Sequence, residues 1–183
     1  MNKHKILMFF FVGSEAFFFL ALIVSYVYYS HPGGHISPTA KYLDIEKTSI
    51  FTTFLLSSSL TVWLAGRNMA KKKTKAVAAW LIATIVLGAT FLIGQTTEYL
   101  GLFALNITIS KNVFGSSFFT LTGFHGLHVL IGLIMLSILL GITISGKFKT
   151  IESTALESGS IYWHFVDAVW IVVFSVVYIG AIL

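Results

Sequence analysis

Cysteine is absent from this 183-residue chain. That excludes disulfide bridges, thiol catalysis and thiolate metal sites. Charge is scarce as well: only 10% of residues are Asp, Glu, Lys or Arg, where a soluble domain carries roughly 25%. Proline occurs only twice, at Pro32 and Pro38 in one short segment, so no long apolar run is interrupted by a helix breaker. Repeats and low-complexity tracts are missing, and so is any polar stretch long enough for a soluble domain. The N-terminal apolar run is too long for the hydrophobic region of a cleavable signal peptide and lacks a small-residue cleavage site.

Apolar residues fill the space left by these absences. They make up 56% of the chain, and the mean hydropathy is +0.88. Seventeen Phe and seven Tyr suit lipid-facing and interfacial positions. Five apolar segments stand out, at roughly 6–29, 50–66, 76–100, 117–144 and 160–183. Each is about as long as a helix needs to cross ~30 Å of hydrocarbon. No alternating strand pattern accompanies them, and lipid-exposed backbone must satisfy its own hydrogen bonds. The expected fold is an all-α membrane protein, one transmembrane domain over 1–183 with five helices in a bundle.

The connecting segments set the orientation. Lys3, Lys5, Arg67, Lys71, Lys72, Lys73, Lys75, Lys147 and Lys149 fall on one side of the five spans, whereas Lys41, Lys47 and Lys111 fall on the other. The positive-inside rule places the N-terminus in the cytoplasm and the C-terminus outside. The lysine run and the net charge of +5 are therefore read as a topology signal, with no nucleic-acid partner. The segment holding both prolines also holds His31 and His35. It reads as a solvated loop rather than a metal site.

Polar groups inside the spans are costly, and they usually face a bundle interior and pair with one another. Glu15 lies roughly 14 Å along the first span and His128 roughly 16 Å along the antiparallel fourth, at ~1.5 Å per residue. The two can share a level, with His125 one turn away. The expectation is a buried Glu15 hydrogen-bonded to His125 or His128; a protonated Glu15 bonded to a carbonyl or hydroxyl is the alternative. In the last span, Ser160, His164 and Asp167 follow i, i+4, i+7 spacing and form a stripe expected to face protein. His164 is placed to bond Asp167 directly, and Asp167 is expected roughly 10 Å from the cytoplasmic end. Trp163 reads as an interfacial anchor and Trp170 as a packing residue. His125 and His128, three apart on one helix, cannot embrace a haem iron from opposite sides. No continuous polar series suggests a proton wire. Gly123, Gly126 and Gly132, with the hydroxyls of "LLSSSLT", suit close helix approach and interhelical hydrogen bonds.

Four fragments, in order, resemble subunit III of the haem-copper terminal oxidases. "FFFVGSEAFFF" is similar to the span holding that family's buried, carbodiimide-reactive glutamate, which maps onto Glu15. "GQTTEYLGLF" resembles its Gln-x-x-Glu-Tyr segment, giving Gln95, Glu98 and Tyr99. "VFGSSFFTLTGFHGLHVLIG" follows its Phe-His-Gly-x-His span at His125 and His128. "YWHFVDAVW" is similar to its last-helix signature at His164, Asp167 and Trp170.

The resemblance implies a subunit of a proton-pumping complex that reduces O2 to water in respiratory electron transport. It implies no catalytic, cofactor-binding or metal-binding residue in this chain, with haem and copper held by partner subunits. Glu15, Gln95, Glu98, His125, His128, His164 and Asp167 would be buried polar groups with structural or proton-supply roles. Partners would be oxidase subunits I and II, with a small subunit IV as a further candidate, and membrane phospholipids lying in a cleft. The location would be the bacterial inner membrane. The family's two extra N-terminal helices are not matched, as in its shorter bacterial form. Cytochrome c is favoured as electron donor; a quinol oxidase is the alternative, and an independent transporter or proton channel a more distant one.

Overall fold

The computed structural model of the chain describes residues 3–30, 42–110, 113–145 and 150–180. Five helices account for nearly all of them: α1 (Lys3–Ser30), α2 (Ile45–Ala70), α3 (Thr74–Ala104), α4 (Val113–Ile144) and α5 (Thr150–Phe174). Each is long and apolar enough to cross a membrane, and each satisfies its own backbone, as hydrocarbon requires. The His31 and His35 segment lies outside the described residues.

Helix ends depart from the sequence reading mainly where polar residues open a helix. Helix α2 begins at Ile45, five residues before the apolar run, because the Asp44 side chain accepts a hydrogen bond from the Lys47 amide at 3.1 Å and caps the first turn. The Lys47 ammonium adds an ion pair to Asp44 at 2.7 Å. These two bonds hold the Asp44 carboxyl below the usual carboxylate range. Helix α5 begins at Thr150, ten residues earlier than its apolar run, since charged first turns can project beyond the hydrocarbon. The α2–α3 turn closes with Lys72 in the left-handed region, at φ 56°.

Helices α2, α3, α4 and α5 form a closed ring in that order, each packing on the next and α5 returning to α2. Helix α1 lies outside the ring, against α4 and α5. Membrane helices gain no hydrophobic drive against one another, so the ring depends on close packing and hydrogen bonds. Three aromatic residues of α5 and the turn that follows it supply both. Trp163, Trp170 and Tyr178 are each 1% exposed or less. The Trp163 indole donates to Ser58 Oγ on α2 at 2.8 Å, and that of Trp170 donates to Thr52 Oγ1 at 2.9 Å. The Trp163 ring occupies space left by glycines on α3 and α4: a Cβ at Gly88 or at Gly132 would lie 2.8 Å from it. Trp163 is thus a central packing residue and not an interfacial anchor.

Seven residues separate Trp163 from Trp170, but eight separate Trp170 from Tyr178. A regular α-helix would swing Tyr178 off the inward face. The chain instead widens into a π-helical turn over Ser175–Ile179, which absorbs the additional residue and keeps Tyr178 in line.

Candidate functional site: polar pairs at the helix seams

Glu15 and His128 meet across the α1–α4 seam. His128 Nε2 lies 3.1 Å from Glu15 Oε2, and His128 Nδ1 lies 2.7 Å from the Phe124 carbonyl oxygen. A carbonyl only accepts, so Nδ1 carries a proton. The contact to Glu15 then holds one shared proton, as a neutral carboxylic acid donating to imidazole or as a carboxylate accepting from imidazolium. Both states are neutral overall, which is what a low-dielectric setting favours. Tyr162 donates to the His128 carbonyl at 3.1 Å, and Phe19 stands edge-on to the imidazole at 4.9 Å. Contrary to the expectation of full burial, the Glu15 side chain keeps 23% exposure. It sits at the margin of the seam because α1 covers the ring from one side only.

His125, the other candidate partner, is turned into the ring. It is fully buried, stacked on Trp170 with ring centres 4.7 Å apart, and flanked by Phe19 and Phe91. Neither of its ring nitrogens has a hydrogen-bond partner among the described residues.

The α2–α5 seam departs most from expectation. Ser59 Oγ donates to Asp167 Oδ2 in a short hydrogen bond and lies 2.9 Å from His164 Nδ1. His164 and Asp167 are therefore joined through Ser59 rather than directly. Asp167 is buried, but His164 is exposed, so the polar stripe does not face protein along its whole length. Nor is Asp167 near one end: it sits close to the middle of the Thr154–Ile179 span, because α5 starts earlier than its apolar run. Serine, histidine and aspartate here do not form a nucleophilic triad. In that arrangement the histidine stands between the other two, whereas here the serine does.

Two further clusters lie at the opposite end of α3 from the α2–α3 turn. Glu98, only half-buried, accepts from the Tyr178 hydroxyl at 2.6 Å and from Thr48 at 3.3 Å, tying α3 to α5 and α2. The buried Gln95 amide donates to the Thr122 carbonyl at 2.7 Å and to the Tyr99 hydroxyl at 3.1 Å. Tyr99 and Thr122 hydroxyls are 2.7 Å apart, which ties α3 to α4. The sequence reading missed Ser59, Thr48, Thr122 and Tyr178 as partners. Thr52 and Ser59, seven apart on α2, were the available signal, since that spacing places two hydroxyls on one helix face.

A bundle of five helices, each long and apolar enough to cross a membrane, is an integral membrane protein. The particular family follows from sequence comparison. The family model described as cytochrome c oxidase subunit III matches residues 1–182. Cytochrome c oxidase subunit 3 of Corynebacterium diphtheriae is 37% identical over 171 residues, covering 92% of this chain and 83% of that protein. Its counterpart in Thermostichus vulcanus is 33% identical over 92% of this chain and 83% of its own length. That of Pongo pygmaeus is 35% identical over 92% of this chain and 66% of its own length. The chain belongs to the cytochrome c oxidase subunit III family, whose members are parts of an oxidase complex.

Proposed function

We propose that this chain is the supporting, non-redox subunit III of a proton-pumping oxygen reductase in a bacterial inner membrane. It would pack on subunit I beside subunit II, in a complex that takes electrons from cytochrome c. Its relatives are subunits of cytochrome c oxidases, which favours cytochrome c over a quinol as donor. The observation that carries the supporting role is the way the ionisable groups are used. Glu15 and His128 close on each other, Asp167 and His164 on Ser59, and Glu98 on Tyr178 and Thr48. Among the described residues no three His, Cys, Asp or Glu side chains converge as a metal site. His125 is fully buried and packed against aromatic rings, stacked on Trp170 with ring centres 4.7 Å apart. On this reading haem and copper are carried by partner subunits.

Lipid contact and proton supply belong to α1. Its outer face carries an apolar groove along Phe17, Leu20, Ala21, Val24 and Tyr28, suited to an acyl chain. Glu15, at the margin of the α1–α4 seam, is the group through which α1 would influence proton uptake. The charge asymmetry of the connecting segments supports a cytoplasmic N-terminus.

The test is the native complex purified with and without this chain. The expected result is an unchanged haem spectrum and undiminished initial oxygen uptake without it, followed by faster loss of activity during turnover. A stoichiometric haem band on the separated chain would overturn the reading. For topology, reporter fusions at residues 71 and 183 should report opposite sides of the membrane.

A further inference from the structure

Of the acidic, basic and imidazole side chains near mid-span, His164 alone among the described residues is exposed. It lies ten residues from Thr154, the start of its span, or about 15 Å along the helix. That is near the middle of a ~30 Å hydrocarbon core. Several exposed hydroxyls in the spans bond their own helix: Ser14, Thr53, Ser57, Thr90 and Thr96 each donate to a carbonyl three or four residues earlier. They are self-sufficient against lipid. His164 is not.

The bonding pattern defines what His164 lacks. Ser59 has one proton and gives it to Asp167 Oδ2. Its oxygen therefore accepts from His164 Nδ1. A neutral imidazole is then left with Nε2 as a bare acceptor, and no described residue meets it. Behind it, the buried Asp167 Oδ1 also has no partner. The seam therefore presents an acceptor-rich face, backed by a carboxyl group, in a region where acyl chains offer no donor and head groups are out of reach. Ala168 lies one turn along α5 on the exposed surface, and a small residue there allows a neighbouring backbone to come close.

From this charge and hydrogen-bond complementarity we infer that the α2–α5 seam at Ser59, His164 and Asp167 is the docking face for a transmembrane helix of another oxidase subunit. That helix carries a donor side chain (a hydroxyl, an amide or a cation) opposite His164 Nε2. The inference builds on the reading that the chain works inside an oxidase complex. Co-purification of the chain with haem-bearing subunits tests that reading separately.

The experiment places a benzoylphenylalanine photo-crosslinker at Ala168, separately at Leu56 on the α2 side of the seam, and at Leu20 on the outer face of α1. Intact complexes are illuminated in native membranes. The seam positions should each give a covalent product with another oxidase subunit, and Leu20 should give lipid adducts. Lipid-only adducts at both seam positions, a product of twice the mass of this chain, or no subunit product at either would overturn the inference. His164→Leu and His164→Gln supply a second readout. Leucine removes the hydrogen bond, and retention of this chain in the detergent-purified complex should fall about three- to tenfold, the effect of one interhelical hydrogen bond. Glutamine keeps an acceptor and should hold retention near the original. If His164 faced lipid, leucine would be neutral or favourable, and that result would refute the docking face.

Discussion

Helix α1 and the α2–α5 ring sit side by side in the same hydrocarbon but are held by different means. Only 6% of the apolar window of α1 is buried within the chain, against 44% for α5. The ring is closed by shape: aromatic side chains of α5 enter space that glycines leave on α3 and α4, and their N–H groups end on hydroxyls of α2. Helix α1 shows phenylalanines outward and attaches through aromatic contacts of Phe11, Phe19 and Tyr26 and through the Glu15–His128 pair. Where lipid is as apolar as leucine, burial alone does not attach a helix. Shape has to do it, as in the ring, or a hydrogen bond, as at Glu15.

That contrast can be broken at a glycine. Gly132→Ala places a methyl group 2.8 Å from the Trp163 ring, and overpacking of this kind costs about 1–3 kcal/mol. Gly94→Ala meets the Phe51 ring still more closely. Gly13→Ala on α1 meets nothing within 4 Å and should be neutral. Thermal release of this chain from the purified complex should show large shifts for the first two changes and none for the third.

A smaller effect sharpens the other half of the comparison. Glu15→Leu removes the α1–α4 hydrogen bond and leaves His128 Nε2 without a partner. The expected cost is about 0.6–1.7 kcal/mol, the measured range for interhelical bonds in membranes. It should appear as faster hydrogen exchange in α1 with α2–α5 protection unchanged. Equal loosening of all five helices would show that α1 is not separately attached.

The smallest expected effect is at the rim. Ion pairing and the cap bond from Lys47 lower the pKa of Asp44, so their contribution is present above the ordinary aspartate value and is lost as pH falls through the lower folded one. Asp44 is largely solvent-facing, so screening keeps the effect small. Acidification should fray the first turn of α2 and leave Trp163 and Trp170 fluorescence unchanged.

The five spans were legible because apolar runs of bilayer length have few other uses. Pairing of Glu15 with the fourth helix was legible from depth, since antiparallel helices convert residue counts into levels. The misplacements of Trp163 and Asp167 share one origin. Charged residues in "TIESTALESG" do not look like membrane helix, so the fifth span was started at Ser160. That put Trp163 at the surface and Asp167 too near one end, although both lie well inside the span. Ser59 was missed for a different reason. Which hydroxyl of "LLSSSLT" meets Asp167 depends on the rotation of α2 about its axis, and the consecutive Ser57, Ser58 and Ser59 point in different directions around the helix. Exposure at His164 was likewise hidden, because i, i+4, i+7 spacing defines a face but not what it faces.

The most direct test of the central claim, that this chain supports an oxygen reductase without taking part in its chemistry, is oxygen uptake by a fully assembled Glu15→Gln complex with a normal haem spectrum. Glutamine keeps the size of the side chain and a hydrogen-bonding amide but cannot ionise. The account predicts an initial rate close to that of the unaltered complex, with any deficit appearing in proton supply or as loss of activity during sustained turnover. Abolished oxygen reduction from the first turnover would contradict it and place Glu15 on the catalytic path.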